Sequence, residues 1–399
     1  MRPWTPDEDV LVLRALERAF LSDPDPALSA VERATLEHAR TLSAWEGPTP
    51  VATAGAFSFR MAVPGAVLPV AGVTWVSVQT THRRQGLLTR MMTTQLEQLH
   101  ASGEAVAALW ASEPGIYGRY GYGGASRSLS VQLRRGDVLR PGLADAALGV
   151  REVELEQARP ALAAVWDASY PSRPGQYART PAWWDHVLVD PERDRGGHAA
   201  LRCMLLDDAR GYAVFSTRSS WDDRGPAGEV KVRELVAVDG PARLRLVEHL
   251  LGIDLVSTWS LRGLSLDDAL LGAVVDSRRL APQLHDALHV RLVRVGEALA
   301  GRTYTAELDV VLDVDDARLP DNARRWRLSA GPRGATCAPT DAPPDLALGV
   351  EDLGAAYLGG TTLVSLAASG RVRELRAGAL VAASRAFRGD VEPLCTHVF

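Results

Sequence analysis

Residues 76–88 read Val76-Ser77-Val78-Gln79-Thr80-Thr81-His82-Arg83-Arg84-Gln85-Gly86-Leu87-Leu88, and the fold of the first third of the chain turns on them. Val73, Trp75, Val76 and Val78 mark residues 66–79 as a largely buried strand. It delivers the chain to a tight turn carrying Gly86. A helix begins at Leu87, with Leu88, Met92, Leu96 and Leu99 on one face. The first N–H groups of such a helix have no intrahelical acceptor, and they sit at the positive end of its macrodipole. A pyrophosphate fits there. Gly86 permits close approach of the backbone, and Arg83 and Arg84 add full charges for phosphate oxygens. Taken alone, Arg-Arg-x-Gly equally fits a strand-to-helix turn with two solvated arginines.

Outward from this turn the chain alternates strands and helices. Thr5-Pro6-Asp7-Glu8 reads as a capped helix start, followed by Leu13, Leu16 and Phe20 on one face. The run Leu21-Ser22-Asp23-Pro24-Asp25-Pro26 ends that helix. Residues 50–60 form a strand before Pro64-Gly65, residues 105–112 form another after the helix, and residues 126–133 a further one. Residues 136–148, rich in Gly, Pro, Asp and Ala, form a linker. The strand at 230–238, Asp239-Gly240-Pro241 and a helix through Leu251 then repeat the strand–turn–helix order without Arg-Arg-x-Gly. Leu308, Val310, Leu312 and Val314 alternate as a strand, and residues 353–358 and 362–368 read as helices about Gly359-Gly360. The pattern predicts an α/β (α+β) protein of three domains: 1–146, 147–290 and 291–399.

Composition narrows the function. With 46% hydrophobic and 23% charged residues the chain is that of a globular protein. A net charge of -5 gives no global attraction to nucleic acid or an anionic membrane. Lys231 is the sole lysine. Cys203, Cys337 and Cys395 are widely spaced and form no CxxC, so neither a disulfide framework nor a metal cage is expected. The N-terminus lacks an apolar signal segment and no apolar run has the length of a membrane span, which predicts a cytoplasmic protein.

The segment 76–88 resembles the acetyl-CoA loop of the GNAT (Gcn5-related N-acetyltransferase) superfamily, with Leu88 where a small residue usually falls. That form is similar to one subfamily, the Eis-type (enhanced intracellular survival) acetyltransferases. Thr81, His82, Arg83, Arg84, Gly86, Leu87 and Leu88 match it, and Thr80 and Gln85 differ. A second block, Ser112-Glu113-Pro114-Gly115-Ile116-Tyr117-Gly118-Arg119-Tyr120-Gly121-Tyr122-Gly123, resembles the same subfamily. The resemblance implies tandem GNAT-like domains, the second degenerate, then a sterol-carrier-like domain. Arg173-Pro174-Gly175, the Asp/Trp-rich stretch 183–190 and Tyr357-Leu358-Gly359-Gly360 resemble the later domains.

It further implies acetyl-CoA as co-substrate and no metal. Arg83, Arg84, Gln85, Gly86, Leu87, Leu88, Ser112 and the amides of Val76 and Val78 would bind it, the Val78 N–H serving as oxyanion donor. Tyr117 would be the general acid: a phenol stays protonated at neutral pH and can donate to the departing thiolate. Tyr122 is the competing tyrosine. The carboxylate of the last residue, Phe399, would be the base, although a terminal Phe also serves as a plain apolar anchor. Val398 stands where relatives carry an acidic residue, beside His397. Trp75 flanks the substrate or belongs to the core. Asp23 and Asp25 either face a cationic acceptor or form the turn. The expected acceptor is a polycationic amine such as an aminoglycoside, and the expected assembly a homohexamer. A lysine or small-metabolite amine acceptor, or a non-catalytic acyl-CoA sensor, is the alternative.

Overall fold

The computed structural model describes residues 1–23 and 25–399. Its N-terminus is closed by a capping box: the Thr5 N–H donates to the Glu8 carboxylate at 2.9 Å, and helix α1 (Asp9–Ala19) follows. Leu13 and Leu16 are buried, whereas Phe20 is 51% exposed because α1 ends at Ala19. Pro24, part of the run expected to end this helix, lies outside the described residues. A helix not anticipated above comes next, α2 (Pro26–Thr35). Only Thr35 of it is buried, and the Asp25 carboxylate caps it by accepting from Ala27 and Leu28 N–H.

The first sheet takes β1 (Thr41–Glu46), β2 (Thr49–Val63) and β3 (Ala66–Val78) as an antiparallel meander. Helix α3 (Leu87–Ala101) then crosses to β4 (Val106–Trp110), which lies parallel to β3. Met91, Met92, Gln95, Leu96 and Leu99 form the buried face of α3. A short helix α4 (Pro114–Tyr117) and a two-residue strand β5 (Gly123–Gly124) follow.

The second sheet is built from β6 (Arg127–Arg134), β7 (Val150–Val153), β8 (Arg202–Leu206), β9 (Gly211–Arg218), β12 (Gly228–Ala237), β13 (Val256–Leu264) and β14 (Gln283–Asp286). A small hairpin of β10 (Trp221–Asp222) and β11 (Gly225–Pro226) stands apart. Helices α5 (Leu155–Ser169), α6 (Pro181–Leu188), α7 (Gly240–Leu251) and α8 (Ala269–Ala273) complete this region.

Strand β15 (Leu288–Leu292) then leaves for the first sheet and inserts between β4 and β5. Sheet membership therefore does not follow chain order. β6 precedes residue 146 yet belongs to the second sheet, and β15 spans residue 290 yet belongs to the first. The cause is the bond pattern at the crossing. Ala125 N–H donates to the Leu288 carbonyl at 2.9 Å, and Leu288 N–H donates to Ser126 Oγ at 3.1 Å, locking the two crossing strands together.

The last domain has a five-stranded sheet in the order β18 (Gly334–Pro339), β17 (Arg325–Gly331), β16 (Leu308–Asp315), β19 (Leu346–Gly349), β20 (Val372–Glu374). It is flanked by α9 (Val295–Ala300), α10 (Val350–Ala356), α11 (Leu363–Ala368) and α12 (Ala379–Phe387). Its core is continuous with that of the first sheet: Phe57, Phe59, Val290, Leu312, Leu353 and Phe387 share one cluster. A buried ion pair, Arg291 to Asp316 at 2.6 Å, pins the two together, with Asn322 donating to the same carboxylate at 2.9 Å. Removing one member of such a pair costs ~3–5 kcal/mol, because the other charge stays buried.

Candidate active site

Strand β3 makes the opening. Ala71 and Gly72 pair with Ala107 and Ala108 of β4, and no pair follows although β3 continues to Val78, so the two strands part. On the other edge the register slips: Gly55 opposes Thr74, but Thr53 opposes Ser77, leaving Trp75 and Val76 against a single residue. This is a β-bulge. Trp75 takes a left-handed φ of 52° within it, and its carbonyl is satisfied by the Thr53 hydroxyl at 2.7 Å. Beyond the bulge Gln79 N–H donates back to Val51 on β2. Strand alternation then turns the main-chain groups of Val76 and Val78 toward the parted side.

The turn after β3 is prepared for an anion. Arg84 and Gly86 both lie in the left-handed region, φ 64° and 79°, and Gly86 caps α3 with no side chain to offer. The first α3 amide with a backbone acceptor is that of Arg90, to the Gly86 carbonyl at 3.0 Å, which leaves Leu87, Leu88 and Thr89 N–H open. Among the described residues neither Arg83 nor Arg84 has a carboxylate within ion-pair distance. Arg83 only touches the Val78 carbonyl at 3.4 Å. Two uncommitted guanidinium groups beside three open amides fit a diphosphate.

Two cavities meet here. The first, about 580 Å³, is lined by Val76, Val78, Arg83, Arg84, Gly86, Leu87, Leu88, Ser112, Tyr117 and Tyr120 among others. The second, about 570 Å³, is walled by all three domains: Phe57, Trp75 and Trp110 from the first, Trp183, His186 and Arg233 from the second, and His397, Val398 and Phe399 from the last. Phe20, Val76, Ser112 and Tyr117 line both.

The three tyrosines are thereby separated. Tyr117 stands at the junction. Tyr120 lines only the first cavity, with its hydroxyl 3.2 Å from Thr89 Oγ1, and Tyr122 is buried, lines neither, and has an unpartnered hydroxyl. Burial raises the Tyr117 phenol above the ordinary value against the opposing pull of Ser112, so at neutral pH it carries its proton.

The chain terminus is held in place. Leu394 N–H donates to Pro174 O at 2.8 Å, Arg173 donates to the Glu392 carbonyl at 2.9 Å, and the Phe399 ring packs edge-on against Phe59 at 4.8 Å. Gly72 is required beneath it: a Cβ there would meet the Phe59 ring at 2.2 Å and Phe399 at 3.2 Å.

Other residues expected at the site are placed elsewhere. Gln85 is absent from the first cavity; it donates to the Thr81 carbonyl at 3.3 Å and lines a separate depression with Glu46. Asp25 caps α2 and pairs with Arg193 at 3.0 Å, and the Asp23 carbonyl accepts from the same arginine at 3.0 Å. Neither is among the described residues lining the two cavities. The side-chain carboxylate that lines the second cavity, among the described residues, is that of Glu32 on α2. Burial, with Glu17 nearby, lifts its carboxyl to about 7. Glu32, His186 and Arg233 carry no local sequence signal; His186 lies within the Asp/Trp-rich stretch, the one hint available. Among the described residues no helix is long and apolar enough to cross a membrane. Among the same residues no group of three or more His, Cys, Asp or Glu is placed for a metal ion.

Comparison with known proteins identifies the family of each part of the chain. The acetyltransferase (GNAT) domain family matches residues 1–125, a second acetyltransferase (GNAT) domain family matches 175–295, and the sterol carrier protein domain matches 295–396. An uncharacterised N-acetyltransferase of Streptomyces coelicolor is 45% identical over 96% of each chain. The N-acetyltransferase Eis of Mycobacterium bovis is 34% identical, covering 83% of this chain and 81% of its own. The crystal structure of Eis1 from Mycobacterium abscessus superposes with a TM-score of 0.86 at 31% identity, over 100% of this chain and 99% of that one.

Proposed function

This chain belongs to the Eis-type N-acetyltransferases of the GNAT superfamily, and from that premise we propose that it acetylates an amine of a polycationic acceptor, aminoglycosides included, at one or more positions. GNAT acetyltransferases use acetyl-CoA. The observation that carries the proposal is Tyr117 on the wall shared by two cavities, where a thioester in one meets an amine in the other.

In this reading Arg83, Arg84 and the amides of Leu87, Leu88 and Thr89 hold the diphosphate. The Val78 N–H stabilises the oxyanion and Tyr117 protonates the thiolate. The carboxylate of Phe399 removes a proton from the acceptor's ammonium. Glu32, once ionised, and that carboxylate supply negative charge for a cationic acceptor, against the single cation of Arg233 in the same wall. The acceptor cavity, walled by three domains, has room for a bulky molecule. The assembly proposed is a hexamer, acting in the cytoplasm as an antibiotic-resistance enzyme.

One feature favours a second reading. Arg233 lines the same cavity with no carboxylate in ion-pair distance among the described residues, which suits a small-metabolite amine that also carries an anionic group.

The test is thiol release from acetyl-CoA in the presence of kanamycin or tobramycin, of a lysine-containing peptide, and of an amino acid. Turnover with the aminoglycosides supports the first reading, and turnover only with the amino acid supports the second. Tight acetyl-CoA binding without turnover on any amine overturns both. Residues added after Phe399 are expected to abolish turnover while acetyl-CoA binding persists; full activity of the extended chain would remove Phe399 from the mechanism.

A further inference from the structure

The acceptor cavity contains two imidazoles that the reading above does not use. His186 of α6 and His397 of the terminal segment both line it, their ring centroids 5.3 Å apart and their planes at 88°. Trp183 packs edge-on against both, at 5.0 Å and 6.4 Å, and fixes their orientation. Neither ring makes a side-chain hydrogen bond among the described residues. His186 Nδ1 and His397 Nε2 are also shut off from solvent, so one nitrogen of each ring is left unsatisfied among the described residues, and the other nitrogen of each is the one free to meet a ligand. Buried polar atoms are nearly always paired, and such exceptions call for an explanation in ligand, water or chemistry.

We infer that His186 and His397 form the proton-accepting contact for the acceptor amine, taking the proton that its nitrogen loses as it is acetylated. This rests on the acetyltransferase reading and adds to it a base that is distinct from the chain-terminal carboxylate.

The surroundings keep the pair ready to accept. The charged and titratable groups around it are Arg233 on β12, Arg179 with its partner Glu234, Glu32 on α2, Cys395 and the terminal carboxylate of Phe399. Burial first, then the charges of Arg179, His186 and Arg233, hold His397 well below the ordinary histidine value. Burial and Arg233 lower His186 in the same direction. Both are therefore neutral at pH 7.

A base so weak takes little from a free ammonium, and it does not need to. The unprotonated amine attacks the thioester carbon, the carbonyl electron pair moves to oxygen, and the nitrogen becomes cationic and far more acidic. An imidazole then takes the N–H proton. The C–S bond breaks as C=O re-forms, the thiolate takes the Tyr117 proton, and the imidazolium proton returns through solvent to the Tyr117 oxygen. The products are the amide and free CoA thiol, with both imidazoles neutral again.

The experiment compares the wild-type protein with His186→Gln, His397→Gln and the double variant, by thiol release with tobramycin and acetyl-CoA between pH 5 and 9. Acetyl-CoA affinity reports that the fold is intact. General-base catalysis contributes about 10²–10⁴-fold. The double variant is expected to lose at least tenfold in kcat, with the KM for acetyl-CoA unchanged. The wild-type rate should hold through neutrality and fall only below the ordinary histidine range, a limb the double variant lacks. Imidazole added to the medium should restore part of the lost rate. A double variant with the wild-type rate and pH profile overturns the inference and leaves the acetyltransferase reading standing. Absence of thiol release by the wild-type protein overturns both. Should His397→Gln misfold, His186→Gln and the wild-type pH profile decide alone, and an unchanged rate with no limb is the refuting result.

Discussion

At the end of β3, helix α3 begins on Gly86, whose left-handed backbone leaves three amides open beside Arg83 and Arg84. At the end of β12, helix α7 begins on Asp239, whose own carboxylate accepts from Ala242 N–H at 2.9 Å and is in turn paired with Arg210. Both parallel strand pairs part in the same way: β3 from β4 after Gly72, β12 from β13 after Val232. The second opening is smaller, about 320 Å³. Leu394 and Thr396 of the terminal segment form part of its wall beside Asp239, and Arg243 is already paired with Asp268. One architecture thus serves twice. Where the helix end is capped by the chain's own anion and the nearby arginines are already paired, less is left for a diphosphate to satisfy.

The largest effect that tests this contrast is chemical. Tyr117→Phe should lower kcat by about a hundredfold or more with acetyl-CoA affinity within twofold, read by thiol release and calorimetry. Tyr122→Phe should leave kcat within a few-fold. Equal losses in the two variants would erase the distinction between the junction tyrosine and the buried one.

Next in size is the exchange of caps. Gly86→Asp gives the first turn the cap of the second, and the acetyl-CoA dissociation constant should rise at least tenfold, ~1.4 kcal/mol. The reciprocal Asp239→Gly should gain no acetyl-CoA binding, since its turn lacks the paired arginines. A second binding event in titration calorimetry would break the comparison.

A smaller effect concerns Glu32, whose carboxyl titrates at about 7. As pH rises through that value the group ionises, so the KM for a cationic acceptor should fall a few-fold between pH 6 and 8, and Glu32→Gln should abolish the slope. The sign for stability is opposite. Because burial raises this carboxyl above its unfolded value, the folded state binds more protons between about 4.5 and 7, and stability declines as pH climbs through that window. A flat KM in the wild-type protein would remove Glu32 from acceptor recognition.

The smallest expected change is in the self-capped copy. Asp239→Ala should cost about 1 kcal/mol of stability, seen as a fall of a few degrees in Tm, without altering acetyl-CoA affinity. Weakened binding would show that the two openings communicate.

The contrast also marks what a sequence can tell. Strand β3, its turn and α3 are legible because every residue that makes the anion site lies within 76–89, and local spacing encodes it. The acceptor cavity is not local: Glu32, Tyr117, His186, Arg233 and Phe399 come from five separated segments joined only by packing. Of these, Tyr117 and Phe399 were reachable through motif resemblance. Glu32 was hidden on a helix with one buried residue and no motif of its own. Asp23 and Asp25 drew notice by their charge, yet the Asp25 carboxylate serves a cap and an arginine, and Asp23 meets that arginine through its backbone carbonyl. The crossing of β6 and β15 had no local sign either. A strand's sequence sets which face is apolar, not which of two sheets receives it.

That crossing reaches beyond the finished molecule, into how it is made. The sheet that contains β4 receives its next strand, β15, only when residues 288–292 exist, although β5 is complete at residue 124. At ~5–20 residues per second of synthesis, the ribosome needs on the order of 10 to 30 s to add the stretch between. Throughout that interval the edge of β4 is exposed to chaperones and to other nascent chains. The gene cannot be cut after residue 125 into a module that carries its own complete sheet. Such a fragment is expected to aggregate, and the two sheets have to be inherited together.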